Sequence, residues 1–202
     1  MEFPFLTDAF LNALQDTGAA TPSRGWGPCH LRDGDALMPM YARDGSRGEY
    51  VFDFAWADAY ERNGLAYYPK LVTAIPFTPV VGPRWRGDWC PRQLWDGVRE
   101  RIREQGASGW HLLFPDQPTR EALGELPLVE RQACHFRWFN RGYRDFDAFL
   151  AGFNSRKRKS VRRERRRVAE QGLTVTRMTG ADIDPQSWRF FFHCYANTYL
   201  VR

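Results

Sequence analysis

Apolar positions along the chain alternate between two spacings. In "LTDAFLNALQDTG", Phe10, Leu11 and Leu14 share one face, which predicts a helix capped by Thr7 and stopped at Gly18. "PCHLRDGDALMPMYARDG" has the shorter period of two strands, and Asp33-Gly34 between them is a tight hairpin signal. A third antiparallel strand is predicted from about Tyr50, in "EYVFDF". "AWADAYERNG" returns to a helical pattern and ends at Asn63-Gly64, and "PRQLWDGVRERIREQG" is a longer helix with Leu94, Trp95, Val98 and Ile102 facing inward. "GWHLLF", "LVERQACHFRWF" and "LTVTRM" are predicted strands, and "DFDAFLAGF" a short helix. "DPQSWRFFFHCYANTY" opens a helix with Asp184 as its cap and Pro185 at its first position.

Between these elements, "YYPKLVTAIPFTPVVGPR" reads as a strand interrupted by Pro76, Pro79 and Pro83. Proline cannot donate to a ladder, so this strand must part from a neighbour or lie at an edge, which leaves a gap in the sheet. The element order predicts an α+β fold: a mixed, mostly antiparallel sheet flanked by helices. Residues 1–150 are expected to form one lobe. Residues 151–202 are expected to add a basic connecting helix and the first strand and helix of a second, incomplete lobe. One strand and one helix cannot bury themselves, so the sequence is expected to be the N-terminal part of a longer protein whose C-terminal lobe is missing.

Charge changes this picture in one place. From Asn154 to Val168 there are nine basic residues and one acid, Glu164, a segment charge of +8; the chain's +5 therefore leaves −3 for everything else. Concentrated in one element, the charge points to a defined helix rather than a generally basic surface. Asn154 or Ser155 can cap that helix and Gly172 can end it, while Val161 and Val168 form a thin apolar stripe. An apolar content of 43% and an aromatic content of 15% exclude disorder. No apolar run approaches the roughly 20 residues that span a bilayer, and "MEFPFLTDAF" lacks the order of a secretion signal. A cytoplasmic location without membrane insertion is expected.

The four cysteines, Cys29, Cys90, Cys134 and Cys194, form no CxxC pair, and reduced, buried thiols are expected. Three adjoin a histidine, but neighbours on a strand point to opposite faces, so each pair offers one ligand at most and no metal site is expected. GxSxG, HExxH and Walker-type loops are absent. For acid and base work the candidates are Asp53, His111 and His135: an attacking amine must be neutral, and histidine titrates near working pH. Asp53 stands in an apolar run, where an unpaired carboxylate is costly, so it needs a partner or a function. Tyr67, Tyr68 and Lys70 in "YYPKL" can line an acceptor pocket or serve as half-buried strand residues.

The order "GEYVFDFAWADAYERNGLAYYPKL", "AIPFTPVVGPR", "GWHLLFPD", "CHFRWFNRGYRDFDAFL" and "SRKRKSVRRERRRVAEQG" resembles the predicted N-acyltransferases described as peptidoglycan biosynthesis or recognition proteins. These are Fem-like members of the GNAT superfamily, and the resemblance runs across nearly the whole chain. It implies a GNAT-like lobe that moves an acyl group to an amine, such as that of a cell-wall precursor, from acyl-CoA as co-substrate or from an aminoacyl-tRNA. It also implies a splayed strand whose amides hold the donor carbonyl. In this chain that segment contains Ile75, Phe77, Thr78 and Gly82, with Arg84 placed to meet a phosphate. The usual pyrophosphate loop is absent. On the basic helix, Arg158, Arg162 and Arg163 would meet an anionic ligand or tRNA. The competing reading is a non-catalytic domain that binds RNA or another polyanion through residues 155–172.

Overall fold

In this computed structural model, residues 3–134 and 136–200 are described, Tyr199 by its backbone alone. Two compact units are present, residues 1–132 and 133–202. The segment 133–150, which the sequence pattern groups with the first lobe, therefore falls with the basic helix. The aromatic rings of Trp138, Tyr143 and Phe149 explain this grouping, since they pack on one another within the second unit.

The first unit begins with α1 (Asp8–Asp16), where Thr7 accepts a bond from the Phe10 amide as the pattern requires. Four short strands follow: β1 (Gly27–Pro28), β2 (Leu31–Asp33), β3 (Ala36–Met38) and β4 (Tyr41–Arg43). After α2 (Phe54–Arg62) come β5 (Lys70–Thr73), α3 (Pro91–Gln105), β6 (Trp110–Leu112) and α4 (Gln117–Leu123). The main sheet has the order β1-β4-β5-β6. Its first two pairings are antiparallel, and β5 runs parallel to β6 with Val72 opposite His111. β2 and β3 form the separate hairpin, with the turn at Gly34 in the left-handed region at φ 54°.

The core lies where α3 and the hairpin cover the sheet: Leu31, Met38, Met40, Leu71, Leu94 and Val98 are buried together. Gly97 lets the helix sit close, since a Cβ there would stand 3.3 Å from Leu31. After Thr73 the chain leaves β6 and returns only at Gly82, which bridges in parallel to Pro115. The gap expected from the prolines is this excursion.

The third strand predicted from Tyr50 does not form. Tyr50 is left-handed at φ 60°, which breaks the extended run, and Asp53 turns inward as α2 begins. β4, which the sequence pattern merged into the hairpin, takes its place in the sheet. The strands expected in "LVERQACHFRWF" and "LTVTRM" are also absent among the described residues. Val129, Phe136 and Val175 are instead exposed, at 92%, 92% and 86%.

The second unit holds α5 (Phe146–Ala151), α6 (Ser155–Glu170) and α7 (Pro185–Leu200). The caps act as expected: Asn154 accepts from the Lys157 amide at 2.9 Å and Asp184 from the Ser187 amide at 2.7 Å. No residue of α6 is buried. The expectation of buried cysteines is corrected here, since Cys90, Cys134 and Cys194 are exposed and only Cys29 is half-buried.

Candidate functional site

β4 and β5 run antiparallel with Arg43 opposite Lys70, so two cations enter the first unit side by side. The loop between β4 and α2 supplies their counterions. Lys70 is fully buried, and its ammonium donates to Ser46 Oγ at 2.9 Å, Glu49 Oε2 at 2.8 Å and Asp53 Oδ2 at 2.5 Å. All three of its protons are engaged. Arg43 donates from Nε to Glu49 Oε1 at 3.1 Å, from Nη2 to the Arg47 carbonyl and from Nη1 to the Gly25 carbonyl, while its guanidinium lies 3.7 Å from the Trp26 ring centroid. Two carboxylates thus face two cations, all nearly inaccessible to water, the arrangement that makes buried charge tolerable.

Asp53 stands at the N-cap position of α2 yet makes no capping bond. Its carboxylate goes to the network instead, accepting from Lys70, from Tyr67 OH at 2.5 Å and from Ser46 Oγ. Burial acts to raise the Asp53 pKa, but the bonds from Lys70, Ser46 and Tyr67 outweigh it and hold it at about 2. Burial also pushes Glu49 up, against the pull of Lys70 and Arg43. Tyr67 is raised well above the ordinary phenol range, first by burial and then by its bond to Asp53.

Donor counting extends the network outward. Ser46 gives its proton to Asp53, so Tyr68 OH, 2.9 Å away, donates to Ser46. Tyr67 gives its proton to Asp53, so the 3.4 Å contact with His111 Nε2 requires that nitrogen to carry the hydrogen. His111 Nδ1 is left as an acceptor. Burial, helped by the charge of Lys70, lowers the His111 pKa to about 4, so the half-buried ring is neutral at pH 7. Contrary to the expectation from sequence, it does not titrate near working pH, and it is a weaker base than a free imidazole.

The structure therefore brings together Asp53, Tyr67, Tyr68, Lys70 and His111, five of the residues expected from the sequence. His135 lies outside the described residues. Arg43, Ser46 and Glu49 were missed. They sit in "RDGSRGE", a stretch that reads as a turn, and the available signal was electrostatic: Asp53 and Lys70, both in apolar surroundings, each required buried partners.

The expected donor segment is built differently. Ile75 and Gly82 are buried, Thr78 is half-buried and Phe77 is exposed. The Phe77 amide bonds the Gly48 carbonyl, the Thr78 amide that of Ile75, and the Gly82 amide that of Phe114. Arg84 was expected to meet a phosphate; its guanidinium instead points inward and donates to the carbonyls of Leu113, Pro83, Val80 and Phe114. It fastens the returning chain to the end of β6, and burial lowers its pKa to about 10.

On α6, Arg162 pairs with Asp147 at 3.0 Å and Arg165 lies 4.4 Å from the Phe146 ring centroid. Arg158 is half-buried and Arg163 is exposed. No helix among the described residues is long and apolar enough to cross a membrane. No group of three or more His, Cys, Asp or Glu among them is placed to hold a metal ion.

A mixed α+β unit around a buried ionic network is thus joined in sequence to a strongly basic helix. The chain matches the FemAB_like family, described as peptidoglycan biosynthesis/recognition, over residues 1–202, and it belongs to that family. No curated protein and no solved structure matches it.

Proposed function

We propose that the chain contributes to a GNAT-like transferase that moves an aminoacyl or acyl group onto an amine of a peptidoglycan precursor. The observation that carries this reading is the hydrogen-bonded chain from buried Lys70 through Asp53 and Tyr67 to neutral His111, in a member of a peptidoglycan biosynthesis/recognition family. The amine nitrogen attacks the donor carbonyl carbon, the carbonyl π pair moves to oxygen, and His111 Nδ1 takes the amine proton. The oxyanion then collapses and expels a thiolate or the ribose oxygen of a tRNA, which recovers that proton. Tyr67 orients the imidazole, and Asp53 fixes Tyr67. The donor is an aminoacyl-tRNA or acyl-CoA, and on this reading Tyr68, bonded to Ser46, borders the acceptor.

The test is transfer from labelled aminoacyl-tRNA or acetyl-CoA to a precursor peptide by the full-length protein. His111→Gln is expected to lower kcat about 100-fold with little change in KM. An unchanged kcat would remove His111 from the reaction, and absence of transfer from either donor would remove the reading. A second reading has its own support: α6 carries nine basic residues and no buried one. On that reading the chain binds a polyanion, and its affinity for single-stranded RNA would fall steeply with salt and with Arg162→Ala/Arg163→Ala.

A further inference from the structure

The main sheet ends at β6, whose far edge pairs with no other strand among the described residues. On its near side, the Leu71 amide bonds the Gly109 carbonyl and the Leu113 amide bonds the Thr73 carbonyl. Main-chain groups alternate sides along a strand, so Gly109, His111 and Leu113 turn theirs toward β5 while Trp110 and Leu112 turn theirs away. Both residues are half-buried and so within reach of solvent, and no described residue bonds their outward amides or carbonyls. Such a row of alternating donors and acceptors is a template for one more strand. β6 is three residues long, a span that suits a short extended peptide rather than a second sheet.

The two faces at this edge differ. Trp110 and Leu112 pack against the core cluster of Leu71, Leu94 and Val98. His111 points to the opposite face, toward Tyr67 and the buried ionic network. Neighbouring strands lie about 4.8 Å apart, so a peptide residue laid alongside His111 on that face sets its side chain beside the imidazole. Arg131 supplies charge at the same place. Its guanidinium lies 6.0 Å from the Trp56 ring centroid, and it is close enough to His111 for its charge to help keep the imidazole neutral. Arg131 is exposed, and among the described residues no carboxylate pairs with it. An unpaired cation beside an unpaired edge is complementary to an extended peptide that carries a carboxylate.

We infer that the open edge of β6 binds a short, extended, acidic peptide as an added strand, its main chain bonded to Trp110 and Leu112 and its carboxylate to Arg131. An amine on the peptide residue alongside His111 then lies where Nδ1 can take its proton. That last placement rests on the transfer proposed above, with the peptide as acceptor, whereas binding at the edge needs no turnover.

The experiment is calorimetric titration of the full chain with the pentapeptide Ala-Glu-Lys-Ala-Ala, acetylated and amidated at its ends, together with residue-resolved amide exchange by NMR. One saturable site is expected, with the Trp110 and Leu112 amides exchanging freely before binding and protected after it. N-methylation of alternate peptide amides should weaken binding about tenfold in one set, which faces β6, and leave it unchanged in the other. Glutamine in place of the peptide glutamate, or Arg131→Gln at unchanged melting temperature, should each weaken it by about the same factor. His111→Gln should slow transfer yet keep the peptide affinity. No binding, indifference to N-methylation, equal weakening by both sets, or an affinity untouched by Arg131→Gln would each overturn the site. Protection of both amides in the free protein would also overturn it, since the edge would then already be filled by this chain or a second copy. Binding with the expected signatures but without transfer would overturn the transfer reading and keep the edge, and transfer without those signatures would do the reverse.

Discussion

The two units handle positive charge in opposite ways. In the first, Arg43, Lys70 and Arg84 are nearly inaccessible, and every one of their bonds ends on a carboxylate, a hydroxyl or a carbonyl of the same unit. In the second, the nine basic residues of α6 stand in or near water, with Arg162 and Arg165 held by weak, exposed contacts. Counting charges along the chain draws attention to α6. Energetics reverses that emphasis, because a buried ion must be matched by its neighbours and an exposed one need not be.

The sharpest way to break the contrast is Lys70→Met. It leaves Glu49 and Asp53 buried against a single remaining cation and is expected to cost about 3–5 kcal/mol in urea unfolding. Lys70→Met/Asp53→Asn should lose less than the two single changes summed, since they share one network. Additive losses would show that the pair is not coupled.

Acid separates the units next. His111 has a folded pKa of about 4 against an ordinary 6.5, so its contribution is complete above pH 6.5 and is lost as pH falls towards 4. Asp53, at about 2 against 3.8, contributes about 2 kcal/mol above pH 3.8, lost as pH falls through 2. The first unit should therefore weaken in two acid steps, and His111→Gln should flatten the first. A stability profile level between pH 6.5 and 4 in the unaltered protein would contradict the environment described for His111.

The smallest effect belongs to α6. Arg162→Ala removes one exposed ion pair and should change stability by less than about 1 kcal/mol, an effect reduced further by added salt. A loss comparable to that of Lys70→Met would mean that α6 is structural.

What the chain's pattern discloses follows the same division. Helices with strong periodicity and caps, such as α1, α3 and α6, were legible to within a residue or two, because their signals are local. The hairpin at Asp33-Gly34 was legible for the same reason. The strand at Tyr50 was misread because alternation in "EYVFDF" does not record that Tyr50 turns left-handed and that Asp53 points in while Phe52 and Phe54 point out. The extended stretches near Val129 and Val175 have strand composition but no partner in the described structure, and pairing is a non-local fact. In the site, each catalytic candidate was visible as an isolated oddity. Their convergence was not, since it depends on the Val72–His111 register and on a loop that places Ser46 and Glu49 under Lys70.

The excursion between Thr73 and Gly82 has one more consequence. Both its ends are tied to the extension of β6, through the Leu113 amide on Thr73 and the Gly82 amide on Phe114, while Phe77 at its crest is exposed. Closure entropy grows only with the logarithm of length, so this crest can be lengthened or exchanged while the sheet keeps its register. Changes at the crest can therefore be made without rebuilding the interior, much as a lock accepts a new key profile while its bolt stays in place.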